Sequence, residues 1–258
     1  MKNHLALAAC AAACALLALG GCASGRGGPL GDQISGRASD RPLPPVGDPG
    51  SVAAADIAFA KAVREDGERA AFDNYAAGDA VVHDEAGLVP AMSWLAGQGD
   101  GHALTRRSPS VVWSSCDGTL AVSFGRYLDA GGIVGSYVTV WELQERSGYR
   151  WTYDLRAADN PQPPPPPPQV EPDEDTIIVT QIDSIEGKVA DCTRAAGSSA
   201  PPVAASDSAP GSARSRDGSL QWRWEHGADG QRRVVVDYLR EGSWQQALDF
   251  SAPPAPGS

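Results

Sequence analysis

The stretch Gly135–Leu155, GSYVTVWELQERSGYRWTYDL, decides how this chain folds. Two aromatic-rich runs flank Ser147-Gly148, a pair that favours a tight turn. On the first run, odd positions from 135 to 143 carry Gly, Tyr, Thr, Trp and Leu, and the even ones carry Ser, Val, Val and Glu. Successive strand side chains point to opposite faces, so both faces of this strand are largely apolar. Working outward, strand patterns cover Leu104–Ser115, Leu120–Leu128, Ile133–Gln144 and Tyr149–Arg156, with turns at Asp117-Gly118 and Gly131-Gly132.

Upstream the period changes. Val52, Ala55, Phe59, Ala60 and Val63 recur at helical spacing behind Ser51, which reads as the N-cap. Gly67 ends that helix, and Glu68–Ala77 forms a second one with Ala71, Phe72 and Tyr75 on one face. Ala80–His83 and Leu88-Val89 suit a small hairpin, after which Pro90 opens a third helix, Ala91–Gln98. Three helices followed by an antiparallel meander predict an α+β domain over residues 51–157, about 110 residues and enough for one core.

The ends of the chain differ in composition. Lys2 and the apolar run Leu5–Leu19 precede Leu19-Gly20-Gly21-Cys22, which looks like a bacterial lipoprotein signal over residues 1–21. It implies an acylated Cys22, with the lipid bilayer as partner, and Ala23 resembles the sorting pattern of outer-membrane lipoproteins facing the periplasm. An ordinary secretory signal is the plainer reading of the same layout. Residues 22–50 read as a flexible tether. After the domain, residues 158–175 form an acidic, proline-rich linker containing Pro163–Pro168. Residues 176–251 read as a small β segment, with runs at Ile185–Cys192, Leu220–His226, Arg232–Leu239 and Trp244–Phe250 around a disordered loop over 195–215.

Chemistry is harder to find. The formal charge of −11 opposes nucleic acid and anionic membrane surfaces as partners. Removing the signal leaves Cys116 and Cys192 to pair or stay free, and an oxidising envelope permits the pairing. His83, Asp84, Glu85 and His102 have no metal-ligand spacing, so no metal site is expected, and no nucleotide loop or nucleophile elbow calls for a cofactor. Asp175–Thr180 resembles the TonB box that adds a strand to a partner sheet, although an ordinary short strand explains it as well. DGTLAVSFG at Asp117 is echoed by DGSLQWRWEHG at Asp217, and VTVWELQERSGYRWTYDL by VVVDYLREGSWQQALDF. These echoes fit a degenerate repeat, but turn and strand chemistry alone produces them too, and that plainer reading takes precedence.

Ala71-Phe72-Asp73-Asn74-Tyr75 with Asp79-Ala80-Val81, then Asp117–Ala121 with Gly125, then Tyr137–Trp141 with Tyr149-Arg150-Trp151 and Asp154, resemble the SnoaL-like members of the nuclear transport factor 2-like superfamily. The likeness covers Val52–Ala157. It implies a cone-like domain, three helices packed on a curved antiparallel sheet around an apolar cavity, with the C-terminal β segment as an addition. Some such proteins isomerise, cyclise or dehydrate small molecules and others only bind or dimerise, so the fold does not settle function. Tyr75, Trp94, Tyr137, Trp141 and Asp154 are the expected pocket-lining residues, for a small apolar ligand. Asp154 is the best candidate base, with Tyr137 or Tyr75 as donor. The leading expectation is nonetheless a binding or assembly protein, with catalysis by Asp154 as the alternative and dimerisation through the sheet as what the resemblance implies.

Overall fold

The computed structural model describes residues 46–98, 104–164, 184–192 and 211–254. Cys22, His102, the signal run, the strand-addition candidate Asp175–Thr180 and most of the tether, linker and 195–215 loop lie outside the described residues. Helix α1 spans Pro49–Asp66 and starts earlier than its apolar period suggests. Asp48, not Ser51, is its N-cap: the carboxylate accepts from the Gly50 and Ser51 amides at 3.0 and 3.2 Å, and Pro49 takes the first helical turn where its missing N–H is no loss. Gly67, at φ +87, breaks the chain into α2, Glu68–Tyr75. Strands β1, Ala76–Asp84, and β2, Gly87–Pro90, form the hairpin before α3, Ala91–Gly97.

The meander follows as β3, Leu104–Ser114; β4, Leu120–Asp129; β5, Val134–Gln144; and β6, Gly148–Ala158. A short β7, Glu186–Val189, then precedes β8, Gly211–Arg214; β9, Leu220–His226; β10, Arg232–Arg240; and β11, Ser243–Ala252. The strands make two sheets. The first has the order β2-β1-β6-β5-β4-β3-β7, with β1 parallel to β6 and β7 parallel to β3; the second has the order β11-β10-β9-β8.

The expected α+β cone with a C-terminal addition is corrected by this arrangement. The described residues are mostly β, with 53% strand and 20% helix, and their strands make two sheets of seven and four strands. The reason lies in β5, whose two apolar faces both need cover. Tyr137 and Trp141 pack with Val52, Phe59 and Phe72 on the helix side, while Val138 and Val140 pack with Leu220, Trp222, Val234 and Val236 of the second sheet. Fully burying a side chain of this size contributes about 1.5–3 kcal/mol, so neither face can be left bare. The first sheet is thus the middle of three layers, with the face opposite the helices covered by strands of the second sheet. The described residues from 46 onward belong to one compact unit. Residues 211–214, expected to be disordered, are the edge strand β8.

The turn echo proves structural. Ser115–Leu120 and Ser215–Leu220 form the same turn: in each, the serine Oγ donates to the aspartate Oδ1 at 2.7 Å, the glycine amide donates to the serine carbonyl, and the glycine has positive φ. The hairpins they close share a register, Ser114 opposite Ala121 and Arg214 opposite Gln221. β-Bulges also fall at matching places, after Val140 against β6 and after Val236 against β11. Turn chemistry alone does not place a bulge two strands away, so the repeat reading replaces the plainer one. The two turns meet reciprocally: the Asp117 amide donates to Asp217 Oδ2 and the Asp217 amide to Asp117 Oδ2, both at 3.0 Å. This is the contact pattern of a two-fold interface, built within one chain. Cys116 and Cys192 form a disulfide, with Cα atoms 5.1 Å apart, that ties this turn to the chain just beyond β7.

Candidate functional site

Asp154 lies on β6 opposite Thr139, on the face beneath α1, and is 3% exposed. Its Oδ1 accepts from Arg107 Nη2 at 3.0 Å and from the Thr139 hydroxyl, and its Oδ2 accepts from Arg156 Nε at 2.8 Å. Arg107, from β3, also donates from Nε to Asp56 Oδ1 at 2.8 Å and lies over the Tyr137 ring at 3.5 Å. Asp56 Oδ2 accepts from Ser123 Oγ at 2.6 Å and the Tyr137 hydroxyl at 3.0 Å, and Ser123 Oγ accepts from Trp141 Nε1 at 3.0 Å. Two aspartates and two arginines therefore neutralise one another inside the domain.

Electrostatics follow from these contacts. Burial pushes the Asp154 carboxyl up, but Arg107 and Arg156 outweigh it and hold the group below the ordinary carboxylate range. Burial likewise opposes the charge on Arg107, yet Asp56 and Asp154 keep the guanidinium firmly protonated. Burial, reinforced by Asp56, raises the Tyr137 phenol well above its usual value. A general base needs a free lone pair facing the substrate and affinity for a proton near working pH. Asp154 is buried and its proton affinity is lowered, and the Tyr137 hydroxyl is already donating to Asp56, which opposes the base and donor roles expected of them.

The five residues expected to line a pocket lie as follows. Tyr137 and Trp141 are fully buried core side chains, packed against α1. Tyr75 sits 5.9 Å from the Phe59 ring, and Trp94 stacks on Phe72 at 6.2 Å with the Arg156 guanidinium 5.3 Å from its ring. The structure brings all five residues into or beside one core. Asp56 and Arg107 went unread in the sequence, although Asp56 interrupts the stripe Val52, Phe59, Val63. A carboxylate at a helix core position calls for a buried cation, and that signal could have found Arg107.

A second polar group lies between the sheets. His83, 1% exposed, places Nδ1 2.7 Å from the Tyr153 hydroxyl and Nε2 3.0 Å from His226 Nδ1, with the Trp224 ring at 5.0 Å. Burial, then the neighbouring His226 and Arg232, pushes its pKa down to about 3. A neutral ring donates from one nitrogen and accepts at the other, which matches its two partners. Asp84 accepts from the Ala86 amide at 2.8 Å in the hairpin turn, away from any ligand set. Among the described residues, no three His, Cys, Asp or Glu side chains gather to hold a metal ion.

Two open clefts lie among the described residues at the contact between the sheets. One, of about 200 Å³, lies beside the paired turns, lined by Thr119, Glu142, Arg214 and Arg216. The other, of about 340 Å³, lies where the two sheets meet at the far ends of β4, β6 and β11, lined by Ile133, Ala157, Asp159, Arg232 and Pro253 among others. None of the five expected pocket residues lines either. No family model and no curated protein matches the chain.

Proposed function

We propose that the chain is a lipid-anchored protein of the bacterial cell envelope that binds a ligand or partner rather than transforming one. Acylated Cys22 holds it at the outer membrane, facing the periplasm, and the SnoaL-like wording of residues 52–157 is compatible with a superfamily that includes pure binders. The Cys116–Cys192 disulfide supports the oxidising compartment. The observation that carries the reading is Asp154: the one residue suited by type and place to act as a base is buried and held charged by Arg107, Arg156 and Thr139. Its carboxylate serves the core, and ligand contact is left to the clefts between the sheets.

Turnover assays on the purified chain with keto-steroid and polyketide-like compounds test this. The expected result is no reaction beyond the uncatalysed rate; turnover that vanishes in Asp154→Asn overturns the reading. Acylation should be lost in Cys22→Ser, and retained acylation refutes the anchor.

A further inference from the structure

Two arginines are buried among the described residues, Arg107 and Arg232, and Arg156 and Arg223 are half-buried. Arg107 meets Asp56 and Asp154, Arg156 meets Asp154, and Arg223 meets Asp237. Arg232, only 7% exposed, meets no carboxylate among the described residues. Its Nη1 and Nη2 donate over long distances to the carbonyls of His83, 3.4 Å, and Pro253, 3.2 Å, and its buried Nε has no partner. A guanidinium withdrawn from water without a counter-ion is destabilising, and a carboxylate that meets it gains a charge-assisted contact.

Arg232 lines the 340 Å³ cleft between the sheets. That volume falls within the range of small-ligand sites, roughly 300–1,000 Å³. Ile133, Ala157, Ala158, Pro253 and Pro254 give the cleft an apolar wall. Its two acidic residues narrow the choice of ligand. Asp159 is engaged by Arg126, whose Nη1 reaches Oδ1 at 2.8 Å, so it is not a free repelling charge. Glu85 stands exposed in the β1–β2 turn and disfavours a multiply charged anion such as a phosphate ester.

We propose that this cleft binds a small organic monocarboxylate with an apolar body, the carboxylate on the Arg232 guanidinium and the body against Ile133, Ala157 and Pro253. The inference rests on the binding reading above and names its ligand class. Isothermal titration of the purified full chain with 1-naphthoate, set against the neutral isostere 1-naphthamide, tests it. The acid should bind at least about tenfold more tightly than the amide, the margin a charge-assisted hydrogen bond supplies. Arg232→Gln should abolish that preference. Should that variant fail to fold, Ile133→Asp, at a half-exposed position, sets a carboxylate into the cleft and should weaken the acid more than the amide. Equal affinity for acid and amide, no binding of the acid, or an undiminished preference in Ile133→Asp overturns the proposal. Such a result in a chain that remains catalytically inert leaves the binding reading standing, whereas turnover dependent on Asp154 removes that reading instead.

Discussion

The meander β3–β6 and the meander β8–β11 share a turn, a register and a bulge, yet they handle their outward faces in opposite ways. At Tyr137, Thr139 and Trp141 the first meander meets helix α1, and its polar groups join a buried network with Asp56 and Arg107. On the second, the corresponding face of β10 carries Arg233, Val235 and Asp237, and Arg233 pairs with Asp249 and Glu225 at the surface. The inward faces are alike: Val138 and Val140 meet Val234 and Val236 in one shared core. The backbone pattern survives in both copies, whereas the unshared face differs: the first copy buries its charges beneath α1, and the second keeps Val235 and Asp237 buried while Arg233 pairs at the surface.

The largest difference between the copies should appear in their ion pairs. Removing one partner of a buried pair leaves the other charge uncompensated, so Arg107→Met should destabilise the protein by about 3–5 kcal/mol in urea unfolding. Arg233→Gln, at the half-exposed counterpart surface, should cost under about 1 kcal/mol. Similar losses from both would break the comparison. Next, the disulfide closes a long loop joining the first sheet to the chain that feeds the second. Cys116→Ser with Cys192→Ser should cost about 2–5 kcal/mol by the same measurement.

How much of this was legible in the residues depends on the range of the signal. The two apolar faces of Gly135–Leu143 announced a strand needing cover on both sides, and the Asp-Gly echoes announced what would supply it. Reading the C-terminal runs as an addition missed that connection because alternation says which faces are apolar, not which faces meet. Asp48 was passed over because Pro49 and Gly50 look like linker, although a proline directly after an aspartate is a helix-start pattern. β8 is four residues in a Ser/Ala-rich stretch, too short for a period. Asp154 stands out in the sequence, but its partners come from β3, β5 and its own strand, 47 residues separating it from Arg107. The Arg232 cleft draws its walls from five separate parts of the chain and has no motif at all.

Smaller effects sharpen the seam between the copies. His83 is held neutral with its pKa at about 3, whereas an unfolded histidine titrates near 6.5. The folded state therefore binds fewer protons than the unfolded state between those values. Stability from this group is complete above about pH 6.5 and is lost as pH falls toward 3, at about 1.4 kcal/mol per pH unit within the window. His83→Gln should flatten that slope between pH 4 and 6, at about one proton's worth; an unchanged slope would assign the effect elsewhere. Smallest of all, Asp117→Asn and Asp217→Asn should couple in a double-mutant cycle by about 0.5–1 kcal/mol, since each carboxylate accepts the other's amide. Strict additivity would mean that the two turns meet without supporting each other.

The central claim is that the interior carboxylate stabilises the fold and does not react. Titration of the Asp154 side-chain carboxyl by carbon NMR tests it most directly. A midpoint below the ordinary aspartate range, with Arg107 and Arg156 holding the group charged, is the predicted result; a midpoint near neutrality, as a general base requires, would contradict it.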